Sequence, residues 1–535
     1  MKDRVSLTDF LMYHKETHPI SFHMPGHKGR STLYGIYGFG DFIKNVVGND
    51  ITEIPGADAL QQPRERIKEI MEGYAGLYGV KHTELLVNGS SAGLMASILG
   101  SVPRGGKLLM GRNSHRSVYG ALRLGGIDPV YIMPEIDDET GLQLGLDPNK
   151  IEAALIEDPD IKAVLVTSPN YYGVLSDIER IASIVHLHGR ILIVDQAHGA
   201  HLKFFDYLRS EDGLPHRAAE NCGADIVVDS THKTLLSFTG SAILNICTER
   251  PDVSRISELL RMLQTTSPSY LLMGSLDINQ QILRMDGYNL IKNWDADIKY
   301  FYQEAAQIAG LGLIDHIDLD ETKVSITMSA LGLSGPKLAE ELEKRNIWVE
   351  LTHGDYVMLM TGLGNERGDY EDVLSALRDL SAHYGGRIQG MESESSASKT
   401  EPAAQNMAQK QAKNEIQAVA KNETQVANKN ASQPVDKIAE LRTPSSDSAL
   451  IERLEQRKIP DTYEEIPLYS AEGRVLYESI IPYPPGTPIA CPGEVLSKSV
   501  ILYVRDQLVA QHVVLGVDEE GRVKVESDCV LFKEI

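Results

Sequence analysis

Between residues 84 and 246, short apolar runs alternate with longer amphipathic stretches, and this alternation restricts the possible folds more than any other feature of the chain. The runs at Glu84 to Asn88, Lys107 to Gly111, Ala163 to Thr167, Arg190 to Val194, Asp225 to Asp229 and Ser241 to Ile246 have the length and side-chain character of buried strands. Between most of them lie stretches such as Asp177 to Leu187, where Ile178, Ile181, Ile184 and Val185 recur at helical spacing. Strands that are apolar throughout are covered on both faces, so the pattern predicts an α/β fold with a mostly parallel sheet wrapped by helices.

At 535 residues the chain is long enough for more than one globular unit. Long helical periodicity runs from Ser257 to Tyr302, and Lys323 to His383 reads as a smaller α/β unit with strands near Val324 to Met328 and Tyr356 to Met360. From Met391 to about Thr443 the chain is built of Ala, Gln, Asn, Lys, Ser and Glu, with too little apolar surface to offset the entropy of ordering, and it reads as a disordered linker. Apolar and aromatic character returns from Pro444 to Ile535, with strand-like runs at Val500 to Val504 and Val513 to Val517.

A formal charge of −23 argues against nucleic acid and anionic membranes as partners, because both need a basic face. No apolar run reaches the roughly 18 residues that span a bilayer. The charged N-terminus MKDRVSLTDF lacks the apolar core of a secretory signal, so a cytoplasmic location is expected. Cys222, Cys247, Cys491 and Cys529 match no zinc or disulfide spacing, and no metal site is expected.

Open α/β sheets keep their chemistry at the carboxyl ends of their strands, and here those ends carry reactive side chains. Asp195 closes one run, in Asp195-Gln196-Ala197-His198-Gly199, and Lys233 follows another, in Ser230-Thr231-His232-Lys233-Thr234. An amine for a Schiff base and a carboxylate for a pyridine nitrogen are what a pyridoxal 5'-phosphate enzyme needs. Asn88-Gly89-Ser90-Ser91-Ala92-Gly93 joins a strand to a helical run and can offer backbone N–H groups and hydroxyls to a phosphate. His115 follows the next strand and can stack on an aromatic ring, and Thr167 to Gly173 forms a turn that can wall the pocket. Alone, each of these is as readily a cap, a turn or a solvated side chain. Their occurrence in chain order on strand ends of one sheet is what carries the reading.

These residues, with Phe22-His23-Met24-Pro25-Gly26-His27-Lys28-Gly29, Asp50 to Gly56, Thr265 to Tyr270 and Tyr483 to Glu494, resemble the bacterial Orn/Lys/Arg decarboxylases. The resemblance implies the fold type I architecture of pyridoxal phosphate-dependent transferases. Its expected divisions are an N-terminal arm and dimerisation segment (1–65), a cofactor-binding large domain (66–315), a small α/β domain (316–390), the linker (391–443) and an α+β C-terminal domain (444–535). It further implies that Lys233 carries the cofactor, Asp195 bonds the ring nitrogen, Ala197 packs beneath the ring and His115 stacks above it. Ser90, Ser91, Ser230 and His232 would hold the phosphate, completed by Thr265 or Thr266 of a partner subunit. A homodimer or higher homo-oligomer is therefore expected, in a short form without the N-terminal wing domain of larger members, and polyamine synthesis is the implied pathway.

The implied reaction is decarboxylation of arginine, lysine or ornithine, with His198 or Lys233 returning a proton to Cα. One methylene is worth only about 1 to 3 kcal/mol of discrimination, so spacing in a sequence does not choose among the three substrates. Glu494 is a candidate partner for the distal cation, alongside a role in bracing its own turn. An aminotransferase would use the same lysine and aspartate but needs a small-domain arginine, for which Arg345, Arg367, Arg378 and Arg387 are available. A catalytically silent protein on the same fold is the third reading.

Overall fold

The computed structural model describes residues 6–314, 316–397, 454–457, 459–460, 462–483, 487–509 and 513–527. An N-terminal β1 (Ile20–Phe22) precedes the strands of the main sheet: β2 (His82–Leu86), β3 (Lys107–Gly111), β4 (Asp128–Ile132), β5 (Ile161–Thr167), β6 (Ile191–Asp195), β7 (Ile226–Asp229) and β8 (Ala242–Ile246). The following unit contains β9 (Gly312–Leu313), β10 (Lys323–Thr327), β11 (Ile347–Val349), β12 (Leu351–His353) and β13 (Tyr356–Met360). The C-terminal region holds β14 (Tyr463–Pro467), β15 (Ile481–Tyr483), β16 (Val513–Leu515) and β17 (Arg522–Glu526).

The main sheet has the order β2-β8-β7-β6-β5-β3-β4. Only β8 runs against its neighbours, so β2, β3, β5, β6 and β7 all present their carboxyl ends along one edge. Alternate side chains enter two cores: Leu108, Met110, Leu165 and Ile193 pack with Leu94, Ile98 and Val118 of the helices on one face. Leu109, Val164, Val166 and Leu192 pack with Ile151, Leu155, Ile181 and Val185 on the other. Burial on both faces is why these strands read as continuous apolar runs. The helix Ile178–Leu187 starts where Asp177 accepts a hydrogen bond from the Arg180 N–H.

β12, β13, β10 and β9 form a second, smaller sheet, while β1 pairs in parallel with β11 and so ties the N-terminal segment to this unit. In the C-terminal region β14 pairs with β17 and β15 with β16, around a core that includes Leu468, Leu476, Val500 and Val525.

The structure corrects several expectations. Val500 to Val504 is not a strand but part of the helix Lys498–Val509, where Val500, Ile501 and Val504 share the buried face. Their β-branched character is overridden by helical spacing in the tertiary core. β4 went unread because it contains Pro129 and sits on the sheet edge, pairing only with β3. The periodicity from Ser257 to Tyr302 is spread over the helix Val253–Leu263 and the helical stretch Tyr270–Ala305, which is kinked at Asp286; a turn containing Pro268 separates the two stretches. Residues 391–397 of the expected linker continue the helix Arg367–Ala397, and 398–443 lie outside the described residues. Among the described residues no helix is long and apolar enough to cross a membrane, and no cluster of His, Cys, Asp or Glu could hold a metal ion.

Candidate active site

The shared edge of carboxyl ends opens into a cavity of about 300 Å³ lined by Ser90, Ser91, His115, Asp195, Ala197, His198, Ser230, His232 and Lys233. Asp195 ends β6 and is almost fully buried; its Oδ1 accepts the Ala197 N–H at 3.2 Å. Lys233 lies in the one-turn helix Thr231–Thr234 that follows β7, with Nζ 2.9 Å from His198 Nε2. Burial pulls the Lys233 ammonium below its ordinary pKa, while the carboxylates of Asp195 and Glu350 oppose that shift. Burial also lifts the Asp195 carboxyl, against the attraction of Lys233.

His198 is held well below the ordinary imidazole range by burial and by the nearby ammonium groups of Lys233 and Lys323. It therefore stays neutral at pH 7 and accepts the Lys233 hydrogen bond through Nε2. Tyr171 meets its ring edge-on at 5.0 Å between centroids. The His198 carbonyl is fixed from beneath by Lys323 Nζ at 3.1 Å, and Lys323 is itself paired with Asp320 at 3.0 Å. This support crosses from the small unit to the main sheet.

Three side-chain atoms on or beside this cavity have no hydrogen-bond partner among the described residues: Ser230 Oγ, Thr167 Oγ1 and His198 Nδ1. A buried polar atom left unpaired is costly, so the set fits a polar group bound among them. Ser90 and Ser91 stand in the first turn of the helix Gly89–Ser101, whose Asn88 makes no side-chain cap, leaving backbone N–H groups for an anion. His232 donates from Nδ1 to the Ser241 carbonyl at 2.6 Å and is depressed to about 4 chiefly by burial. Its Nε2 is thereby the free ring nitrogen of a neutral imidazole. The donor set, the Asp195 carboxylate and the lysine fit pyridoxal 5'-phosphate.

His115 has two functions that looked like alternatives in the sequence. It lines the cavity, and its Nδ1 accepts the Ser117 N–H at 3.2 Å, capping the helix Arg116–Gly125. Burial depresses it to about 4 as well. Since unfolding returns His115 and His232 to ordinary imidazoles near 6.5, the unfolded chain binds more protons between about 4 and 6.5. Their contribution is therefore present above pH 6.5 and lost as the pH falls through 4. The melting temperature of the cofactor-free protein is expected to fall over that interval, and less steeply in the His115→Asn/His232→Asn variant; equal slopes would refute this origin.

Thr265 and Thr266 do not reach this cavity within one chain. They are exposed on the connection between the helices Val253–Leu263 and Tyr270–Ala305. Glu494 is also elsewhere: its carboxylate is buried against Arg112, with Oε2 2.8 Å from Nη2 and Oε1 3.2 Å from Nε, and it accepts the Cys491 N–H at 2.7 Å. Arg112 donates further to the Pro488 carbonyl at 2.9 Å. The pair clamps the C-terminal region to the carboxyl end of β3, and Thr487 of that region joins the cavity lining. Of the small-unit arginines, Arg345 pairs with Glu341, Arg367 with Asp297 and Arg378 with Glu304, all on the surface; the Arg387 side chain lies outside the described residues.

Sequence reasoning singled out neither Thr239 and Gly240, which line the cavity, nor Glu350 beside it, because no local motif marks them; Thr487 falls within the Tyr483 to Glu494 motif, which gave it no role. Met24 also lines the cavity, and its motif had singled it out without a role.

The model of the Orn/Lys/Arg decarboxylase major domain matches residues 5–317, and that of the C-terminal domain of the same family matches 447–516. The chain is 30% identical to the arginine decarboxylase of Bacillus cereus over 90% of its length and 95% of the relative's. It is 29% identical to that of Bacillus anthracis, covering 95% and 94%. Among solved structures, lysine decarboxylase A of Pseudomonas aeruginosa superposes with a TM-score of 0.68 at 19% identity, covering 97% of this chain and 80% of that one. The constitutive lysine decarboxylase of E. coli gives 0.66 at 19% identity, covering 97% and 81%. These two share the fold type I architecture described above. With its major-domain model matched over more than half its length, the chain belongs to the Orn/Lys/Arg decarboxylases, a family of pyridoxal phosphate-dependent amino-acid decarboxylases.

Proposed function

We propose that this protein binds pyridoxal 5'-phosphate through Lys233 and decarboxylates a basic amino acid, with arginine the first substrate to test and lysine and ornithine next. The observation that carries the reading is the convergence of Lys233, Asp195 and His198 on one cavity beside buried polar atoms that have no partner among the described residues. Relatives named arginine decarboxylases, at 29–30% identity, support the choice of arginine.

When bound, the cofactor supplies the electron sink that takes up the pair left as carbon dioxide departs. Asp195 holds the proton on the ring nitrogen, which keeps that sink strong. Ser90, Ser91, Ser230 and His232 hold the phosphate, while His115 and Ala197 enclose the ring. Because His198 is kept neutral and its Nε2 accepts from Lys233, that nitrogen has no proton to give, and His198 serves to orient the Lys233 amine. Lys233 is thus the better candidate to reprotonate Cα. Thr265 and Thr266, exposed on their connection, would complete the phosphate site from the partner subunit of a homodimer. The surface pairing of Arg345, Arg367 and Arg378 leaves those arginines away from the cavity and favours decarboxylation over transamination.

Release of labelled carbon dioxide from arginine, lysine and ornithine, with purified protein and added cofactor, tests the reading. Turnover of one substrate is expected, and the Thr265→Val/Thr266→Val variant should need more cofactor to reach half-maximal rate. Amine transfer to a keto acid without carbon dioxide would replace decarboxylation by the aminotransferase reading.

A further inference from the structure

With Glu494 committed to Arg112, the cavity needs another partner for the cation at the far end of a basic substrate. The charges that act on Lys233 are those of Asp195, Glu350 and Lys323. Asp195 is buried at the strand end and belongs to the ring nitrogen. Glu350 comes from the opposite unit, between β11 and β12, and is only partly buried. Its Oε2 accepts the Met24 N–H at 2.9 Å, and its Oε1 stands 3.4 Å from the Tyr171 hydroxyl. Met24 and Tyr171 both line the cavity, so the carboxylate sits immediately behind that wall.

We propose that Glu350 is the specificity-determining residue that receives the substrate's distal cation. The proposal rests on the decarboxylation of a basic amino acid argued above. A carboxylate anchored by one backbone N–H keeps its lone pairs on the second oxygen, and the weak 3.4 Å contact leaves that oxygen open to a stronger, charge-assisted bond. Lys28 is nearby, yet its ammonium is taken up by the His23 carbonyl at 2.6 Å and the Met360 carbonyl at 2.9 Å, and it makes no hydrogen bond to Glu350. The site thus offers an α-amino acid its chemistry at Lys233 and, just behind the Met24 and Tyr171 wall, a carboxylate for its other end.

Glu350→Gln separates charge recognition from bracing, because the amide oxygen can still accept the Met24 N–H while the charge is gone. Steady-state decarboxylation should be measured with arginine and with its neutral isostere citrulline, together with calorimetric titration of the product amine agmatine. The expected result is a roughly ten- to hundredfold rise in KM for arginine and a matching loss of agmatine affinity. The smaller activity on citrulline and the absorbance of bound cofactor should not change. Unchanged KM and agmatine binding would overturn the proposal, as would an equal loss for arginine and citrulline. If the wild-type protein releases no carbon dioxide, the decarboxylase reading fails. The agmatine titration then decides on Glu350 alone: binding that weakens in Glu350→Gln supports the cation site, and binding that does not weaken refutes it.

Discussion

Replacing Lys233 by alanine is expected to lower carbon dioxide release by at least about a thousandfold and to remove the visible absorbance of bound cofactor, because among the described residues it is the one lysine that lines the cavity. The fold should survive. Burial already disfavours the ammonium, so its removal relieves an electrostatic cost, and the cofactor-free variant is expected to melt at or above the wild-type temperature. Substantial turnover in this variant would take the nucleophile's role away from Lys233. Loss of folding would show that the lysine supports the loop it sits on.

The second large effect concerns the clamp rather than the chemistry. Glu494→Ala leaves the Arg112 guanidinium buried without its carboxylate, and breaking such a pair costs about 3–5 kcal/mol. Equilibrium denaturation should show that loss, and limited proteolysis should cut the C-terminal region first, since this pair ties it to β3. Cofactor retention should weaken as well, because Thr487 leaves the cavity wall with the same turn. If Glu494 instead bound substrate, the variant would show normal stability and a raised KM, which is the opposite pattern.

Some of this protein could be read locally. The strand runs were legible because both faces of the main sheet are buried, which makes each strand an uninterrupted apolar segment. The reactive residues could be placed because they stand directly after those runs: Asp195 ends β6, Lys233 follows β7 by four residues, and Ser90 stands in the first turn of the helix after β2. Where local and tertiary preferences diverged, the reading failed. Val500 to Val504 has strand-forming side chains, but its apolar positions meet the C-terminal core at helical spacing. β4 is interrupted by a proline that only an edge strand tolerates.

The sequence by itself determined the family and the apolar strands of the main sheet other than β4, and it named candidates to meet a phosphate, a ring nitrogen and an amine, because those depend on hydrophobic periodicity and on motifs a few residues long. Tertiary structure alone decided which groups the carboxylates of Glu494 and Glu350 meet. Glu494 and Arg112 are 382 residues apart, and Glu350 and Met24 are 326 apart. A side chain's partner at such separations is set by how the small and C-terminal units pack on the sheet edge, and a charged residue carries no local pattern that names its partner in advance.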